Sequence, residues 1–134
     1  MILFLISIVA EVTSEDGSAA QVGYDIEFNT TWTPVGNPWV IRRSISIFDG
    51  AELVIKPGVM VQIDGPYSIE CKGRGRIVAE GQWSARIEFI PTRPASFNYT
   101  YISTGIGGVF RNCTFSYGDA CLDGDNDAVI ERCN

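Results

Sequence analysis

The sequence predicts an all-β solenoid, a chain wound into about four stacked coils. Three observations predict it. From Trp39 to Pro91, apolar and polar residues alternate in short runs, each stopped by Gly, Pro or Asp. No window longer than about ten residues carries the 3.6-residue period of an amphipathic helix. Similar segments return after about 20–24 residues, the interval expected of a coil built from several short strands.

The elements follow in order. Ile45-Ser46-Ile47 runs into the turn Asp49-Gly50, and Leu53-Val54-Ile55 into Lys56-Pro57-Gly58. Val59 to Ile63 ends at Asp64-Gly65-Pro66, and Ile69 and Cys71 lead to Gly73 and Gly75. Ile77-Val78-Ala79 leads to Gly81, and Ile87 to Ile90 stops at Pro91. β-Branched residues with period-2 alternation are strand signals, and the Gly and Pro positions are corners. Pro57-Gly58 suits a corner because Pro gives up a donor that has no partner there and Gly tolerates positive φ. Gly50, Gly65, Gly73 and Gly81 suit the other corners. The segment from Ile47 to Ile55 is echoed by the one from Ile69 to Ala79. Val109 to Thr114 overlays Val129 to Asn134 at an offset of 20, with Cys113 on Cys133. One coil buries too little by itself, so neighbouring coils supply each other's core.

At 134 residues, 46% hydrophobic and 11% aromatic, the chain suits one domain with a core. There is no His, which excludes His-based nucleophilic triads and His-ligated zinc. The net charge of −6 argues against nucleic acid as a partner. Residues 1–38 carry five acids and no base, whereas the middle of the chain has a surplus of bases. Residues 21–44 read as a segment capping the coils of 45–134.

Residues 1–20 read as a leader. Ile2 to Ala10 is an apolar run too short to span a bilayer, which needs about 20 residues. Its length fits a secretory signal, although no Lys or Arg precedes it. The alternative is a buried first strand. Asn29, Asn98 and Asn112 head Asn-x-Thr sequons. Asn29 and Asn98 are the better acceptors, whereas Asn112 suits a corner where its side chain bonds the backbone. A secreted or cell-surface location, with no membrane span, is the expectation. The four cysteines, 71, 113, 121 and 133, have no C-x-x-C spacing; disulfides and buried thiols both stay open.

The stretch from Trp39 to Phe89 resembles the entry coils of right-handed, single-stranded parallel β-helix repeat proteins of exported archaeal and bacterial type. This is the pectate-lyase-like superfamily. The resemblance rests on Trp32, Pro38-Trp39-Val40-Ile41, the element from Gly50 to Val61, Ile77 to Gly81 and Ile87-Glu88-Phe89. Asn112 to Phe115 and Glu131 to Asn134 look like later, more regular coils. The resemblance covers roughly residues 30–134. It implies a non-catalytic exported module, a stalk or adhesin-like surface contacting carbohydrate or cell-envelope proteins. The alternative is the N-terminal part of a polysaccharide lyase or glycoside hydrolase acting on acidic polysaccharide.

Three sets of residues are candidates for more than architecture. Asp119, Asp123, Asp125 and Asp127 alternate as carboxylates that could converge on Ca²⁺, the one cofactor considered; a solvated corner is the plainer reading. The pattern is not an EF-hand, and Ala120 stands where the paired Asp of polygalacturonase-like enzymes would be. Lys72, Arg74 and Arg76 alternate, which on a strand gives one basic face for an anionic glycan. The plainer reading is an outer face on a Gly-rich corner. Trp32 and Trp39 are expected to cover the N-terminal end of the core, with sugar stacking as the alternative. No catalytic residue is assigned. The pattern runs on to Cys133-Asn134 without a polar cap. That leads to the expectation of a longer solenoid or of end-to-end self-association.

Overall fold

The computed structural model describes residues 19–92, 100–116, 120–123 and 127–134. The chain is a β-solenoid. The fourteen strands among the described residues are β1 (Ala20–Val22), β2 (Thr30–Trp32), β3 (Trp39–Ile41), β4 (Ile45–Ile47), β5 (Glu52–Ile55), β6 (Met60–Ile63) and β7 (Ile69–Cys71), followed by β8 (Arg76–Glu80), β9 (Ile87–Pro91), β10 (Thr100–Ser103), β11 (Val109–Arg111), β12 (Cys113–Phe115), β13 (Ala120–Asp123) and β14 (Val129–Glu131). The helical content of the described residues is one 3₁₀ turn, Pro34–Gly36.

The strands sort into three sheets. Sheet A has the order β1-β3-β6-β9-β12, sheet B β13-β10-β7-β4 and sheet C β14-β11-β8-β5-β2. Every pairing between these strands is parallel. Each turn visits C, A and B in that order, so β2 to β13 make four turns. A hairpin cannot join parallel neighbours, so the chain must travel a full winding before it meets itself. Residues 21–44 carry β2 and β3, which pair in register with β5 and β6 of the next turn. Residues 1–18, where the leader is expected, lie outside the described residues.

Alternation puts every second side chain inside, and the register stacks these into columns. Trp39, Val61, Phe89 and Phe115 line one column of sheet A. Trp32, Ile55, Ala79 and Phe110 line one of sheet C. Ile45, Ile69 and Ile102 line one of sheet B. All of these except Phe115 are buried, and Phe115 packs against them. Aromatic rings gather in two places. Trp32 stacks on Trp39 at 5.1 Å in the first turn. Phe89, Phe110 and Phe115 lie 4.9–5.9 Å apart in the third and fourth. Between them the core is aliphatic.

The expected offset of 20 between β11 and β14 holds: Val109 faces Val129, Phe110 faces Ile130 and Arg111 faces Glu131. The echo of Ile47–Ile55 in Ile69–Ala79 is two residues out at its start. Ile45, rather than Ile47, faces Ile69, and Ile47 faces Cys71. A two-residue slip leaves every side chain on its original face, which is why the pattern alone does not reveal it.

Corners follow the glycines. Gly58 has φ of 83°, where a β-carbon would be strained. At Gly81 the reason is proximity, since a β-carbon there would sit 2.5 Å from the carbonyl oxygen of Asn112.

Candidate functional site

A row of side chains along the corners binds each turn to the next. Asp25 Oδ1 accepts from the Ser46 amide at 2.9 Å, Asn29 Oδ1 from that of Glu52 at 3.0 Å, and Asn37 Oδ1 from that of Met60 at 2.8 Å. Ser44 Oγ accepts from the Ser68 amide at 3.0 Å, and Asp49 Oδ1 from that of Arg74 at 2.8 Å. In all five the acceptor belongs to one turn and the amide to the next. Short polar side chains thus satisfy the N–H groups that a corner takes out of the sheet ladder. Sequence reasoning expected such a backbone bond at Asn112 alone and missed Asp25, Asn29, Asn37, Ser44 and Asp49. The signal that could have found them is their recurrence just before strands at the coil interval.

The corner between sheets B and C carries an open groove of about 400 Å³, lined by Asn29, Gly50, Ala51, Glu52, Arg74, Arg76 and Ile106. Two members of the expected basic stripe line it, but the three do not share a strand face. β7 ends at Cys71, Gly73 turns with φ of 55°, and β8 begins at Arg76. Alternation predicts a strand here, but the left-handed Gly73 breaks it. Each base already has a carboxylate. Lys72 Nζ lies 2.6 Å from Glu70 of its own turn. Arg74 Nε lies 3.5 Å from Asp49 and Arg76 Nη2 2.5 Å from Glu52, both in the turn before. The outer face of sheet C continues the scheme, with Arg111 between Glu80 at 2.6 Å and Glu131 at 2.7 Å. Between these charges runs an outward, half-exposed column of Val54, Val78, Val109 and Val129.

These pairs set the ionisation of the site. The Arg74 amide, helped by the Arg74 charge, holds the Asp49 carboxyl below its usual value. Hydrogen bonding to Lys72 does the same for Glu70, and to Arg111 for Glu131. A general acid needs a carboxyl whose pKa is raised, so these three are fitted to stay charged rather than to donate protons.

The other expected residues are placed as follows. Trp32 and Trp39 are both buried, at 0% and 2% exposure, so neither offers a face for sugar stacking. The core claims both rings, because apolar area of that size is worth more inside. Trp32 sits on the first strand of sheet C, whereas β1 lies beyond Trp39 on sheet A. The exposed indole is that of Trp83, on the turn Gln82–Ala85. Asn29 is exposed, and Asn98 lies outside the described residues. Asn112 takes a left-handed corner conformation, φ 49°, and its Nδ2 donates to the Gly81 carbonyl at 3.1 Å, as a backbone-tying residue should. Asp119 and Asp125 lie outside the described residues; Asp123 ends β13, and Asp127 is exposed with φ of 65°. Among the described residues no group of three His, Cys, Asp or Glu is placed to hold a metal ion, and no helix is long and apolar enough to cross a membrane. Comparison with protein-family models, with curated proteins and with solved structures finds no match to this chain.

Proposed function

We propose that this chain is a non-catalytic β-helix module of an exported or cell-surface protein, with the pectate-lyase-like architecture. It sets spacing and presents a wall for contact with carbohydrate or cell-envelope proteins. The observation that carries this reading is the pairing of outer-face charges with carboxylates of the same or the neighbouring turn. Each of those bases already faces a carboxylate. A lyase instead needs a base left free to take a proton, and an inverting hydrolase needs two opposed carboxyls with one raised. Corner side chains bound to the next turn stiffen the stack, which is what a spacer requires.

The competing reading, an N-terminal portion of an enzyme acting on acidic polysaccharide, draws support from Arg74 and Arg76 in the open groove. Incubation with polygalacturonate, with and without Ca²⁺, separates the two. The expected result is no unsaturated uronide absorbance and no new reducing ends. Turnover that disappears in Arg76→Ala would overturn the spacer reading.

A further inference from the structure

Two thiols occupy equivalent positions in consecutive turns. The Asn134 amide donates to the Cys113 carbonyl at 3.0 Å, and the Phe115 amide donates to the Asn134 carbonyl at 2.8 Å. That pattern sets Asn134 opposite Thr114 in a parallel ladder, and Cys133 therefore opposite Cys113. The side chains repeat as well. Cys113 Sγ lies 3.4 Å from the Arg111 carbonyl oxygen and 3.6 Å from that of Ala79. Cys133 Sγ lies 3.4 Å from the Glu131 carbonyl oxygen and 3.5 Å from that of Phe110. Ala79 and Phe110 are themselves register partners, so the two sulfurs point the same way, one winding apart. Both face the core: Cys113 is buried and Cys133 packs against the buried cluster while staying partly open.

We propose that Cys113 and Cys133 form a disulfide that locks the last two windings of sheet A together. Neighbouring strands are about 4.8 Å apart, inside the Cα–Cα range of roughly 4.4–6.8 Å that a disulfide accepts. The other two cysteines do not compete, since both lie in sheet B, Cys71 with its thiol 3.3 Å from the Ser103 carbonyl oxygen. Cys121 stands opposite Tyr101 in the same sheet B.

The oxidant is a small-molecule disulfide such as oxidised glutathione. The accessible Cys133 thiol loses its proton and attacks one sulfur of the oxidant, whose S–S bond breaks to release one thiolate. The Cys113 thiol then loses its proton and attacks Cys133 Sγ, releasing the second thiolate. Two protein thiols are oxidised, one disulfide is reduced, and the two protons end on the two thiols released. Burial pushes the Cys113 thiol well above its ordinary value, which fits Cys133 as the first nucleophile.

The test treats the Cys71→Ser/Cys121→Ser double variant of the 134-residue chain with oxidised glutathione and maps its tryptic peptides without reduction. The expected product is a monomer lighter by two hydrogens. In it, the dipeptide Cys133-Asn134 is linked to the peptide 112–132. Oxidation should also raise the thermal midpoint, and Cys133→Ser added to the double variant should abolish both changes. A lasting glutathione adduct on Cys133 or a disulfide between two chains would overturn the proposal. So would two thiols still open to alkylation after oxidation. If the double substitution impairs folding, a chymotryptic map of the unaltered chain, cut at Phe115 and Tyr117 between Cys113 and Cys121, decides, because linkage of 133 to 121 or to 71 is equally contrary.

Discussion

Ile77 is fully buried between Leu53 and the backbone of the following turn, in a column that cannot collapse without moving two strands. Ile77→Ala should therefore cost about 2–5 kcal/mol, read as a lower denaturant midpoint with unchanged slope. Arg111→Ala removes two ion pairs from an open face where water screens them, and the same measurement should barely move. The pH profile follows from the shifted groups. Asp49, Glu70 and Glu131 have depressed values, so their stabilisation is present above the ordinary 3.8–4.5 and is lost as pH falls through their lower folded values. Tyr24 and Cys113 are raised by burial, so their contribution is complete below the ordinary 10.0 and 9.0 and is lost as pH climbs through their folded values. Without histidine, the melting temperature should be level from about pH 6 to 8 and fall on both sides. The acid limb should be shallow, and concentrated salt should flatten it further, since water already screens the exposed pairs behind it.

At the scale of the element, the unit that matters is the corner rather than the strand. A three-residue strand gains few ladder bonds, and its ends must be satisfied by something else. Asn37 does this twice, donating to the Gly58 carbonyl at 2.9 Å while accepting from the Met60 amide. Asn37→Ala should destabilise by about 1–3 kcal/mol, more than its part-exposed position implies. Asn37→Asp, which keeps the acceptor and loses the donor, should fall between the two in chemical denaturation. Arg86 fastens three windings at another corner, reaching Thr114 Oγ1 and the carbonyls of Cys113 and Arg132 at 2.7–2.8 Å.

At the scale of the whole molecule, stability is a sum over neighbouring windings, and the inner ones have neighbours on both sides. Hydrogen exchange should be slowest in β5, β6 and β8 and fastest in β14, whose Ile130 is 42% exposed. Equal protection along the axis would mean that the coils unfold as one unit. The Cys113–Cys133 crosslink acts at the less protected end, so oxidation should steepen protection there and leave the middle turns as they were.

Strand positions from β4 to β9 were legible because period-2 alternation and glycine corners are local properties, written within five or six residues. The solenoid class was legible because the pattern recurs. The windings themselves were not, since they vary in length. Partners in sheet C run from Trp32 to Ile55, Ala79, Phe110 and Ile130, and the long winding from Ala79 to Phe110 includes the Trp83 turn. Only pairing across those unequal intervals decided that Ile45 faces Ile69, that both early tryptophans are buried, that Asp49 meets Arg74, and that β1 to β3 belong to the stack. Alternation tells each side chain whether it faces in or out. Which residue lies above it depends on how much chain is spent going round, a long-range quantity that no short window contains.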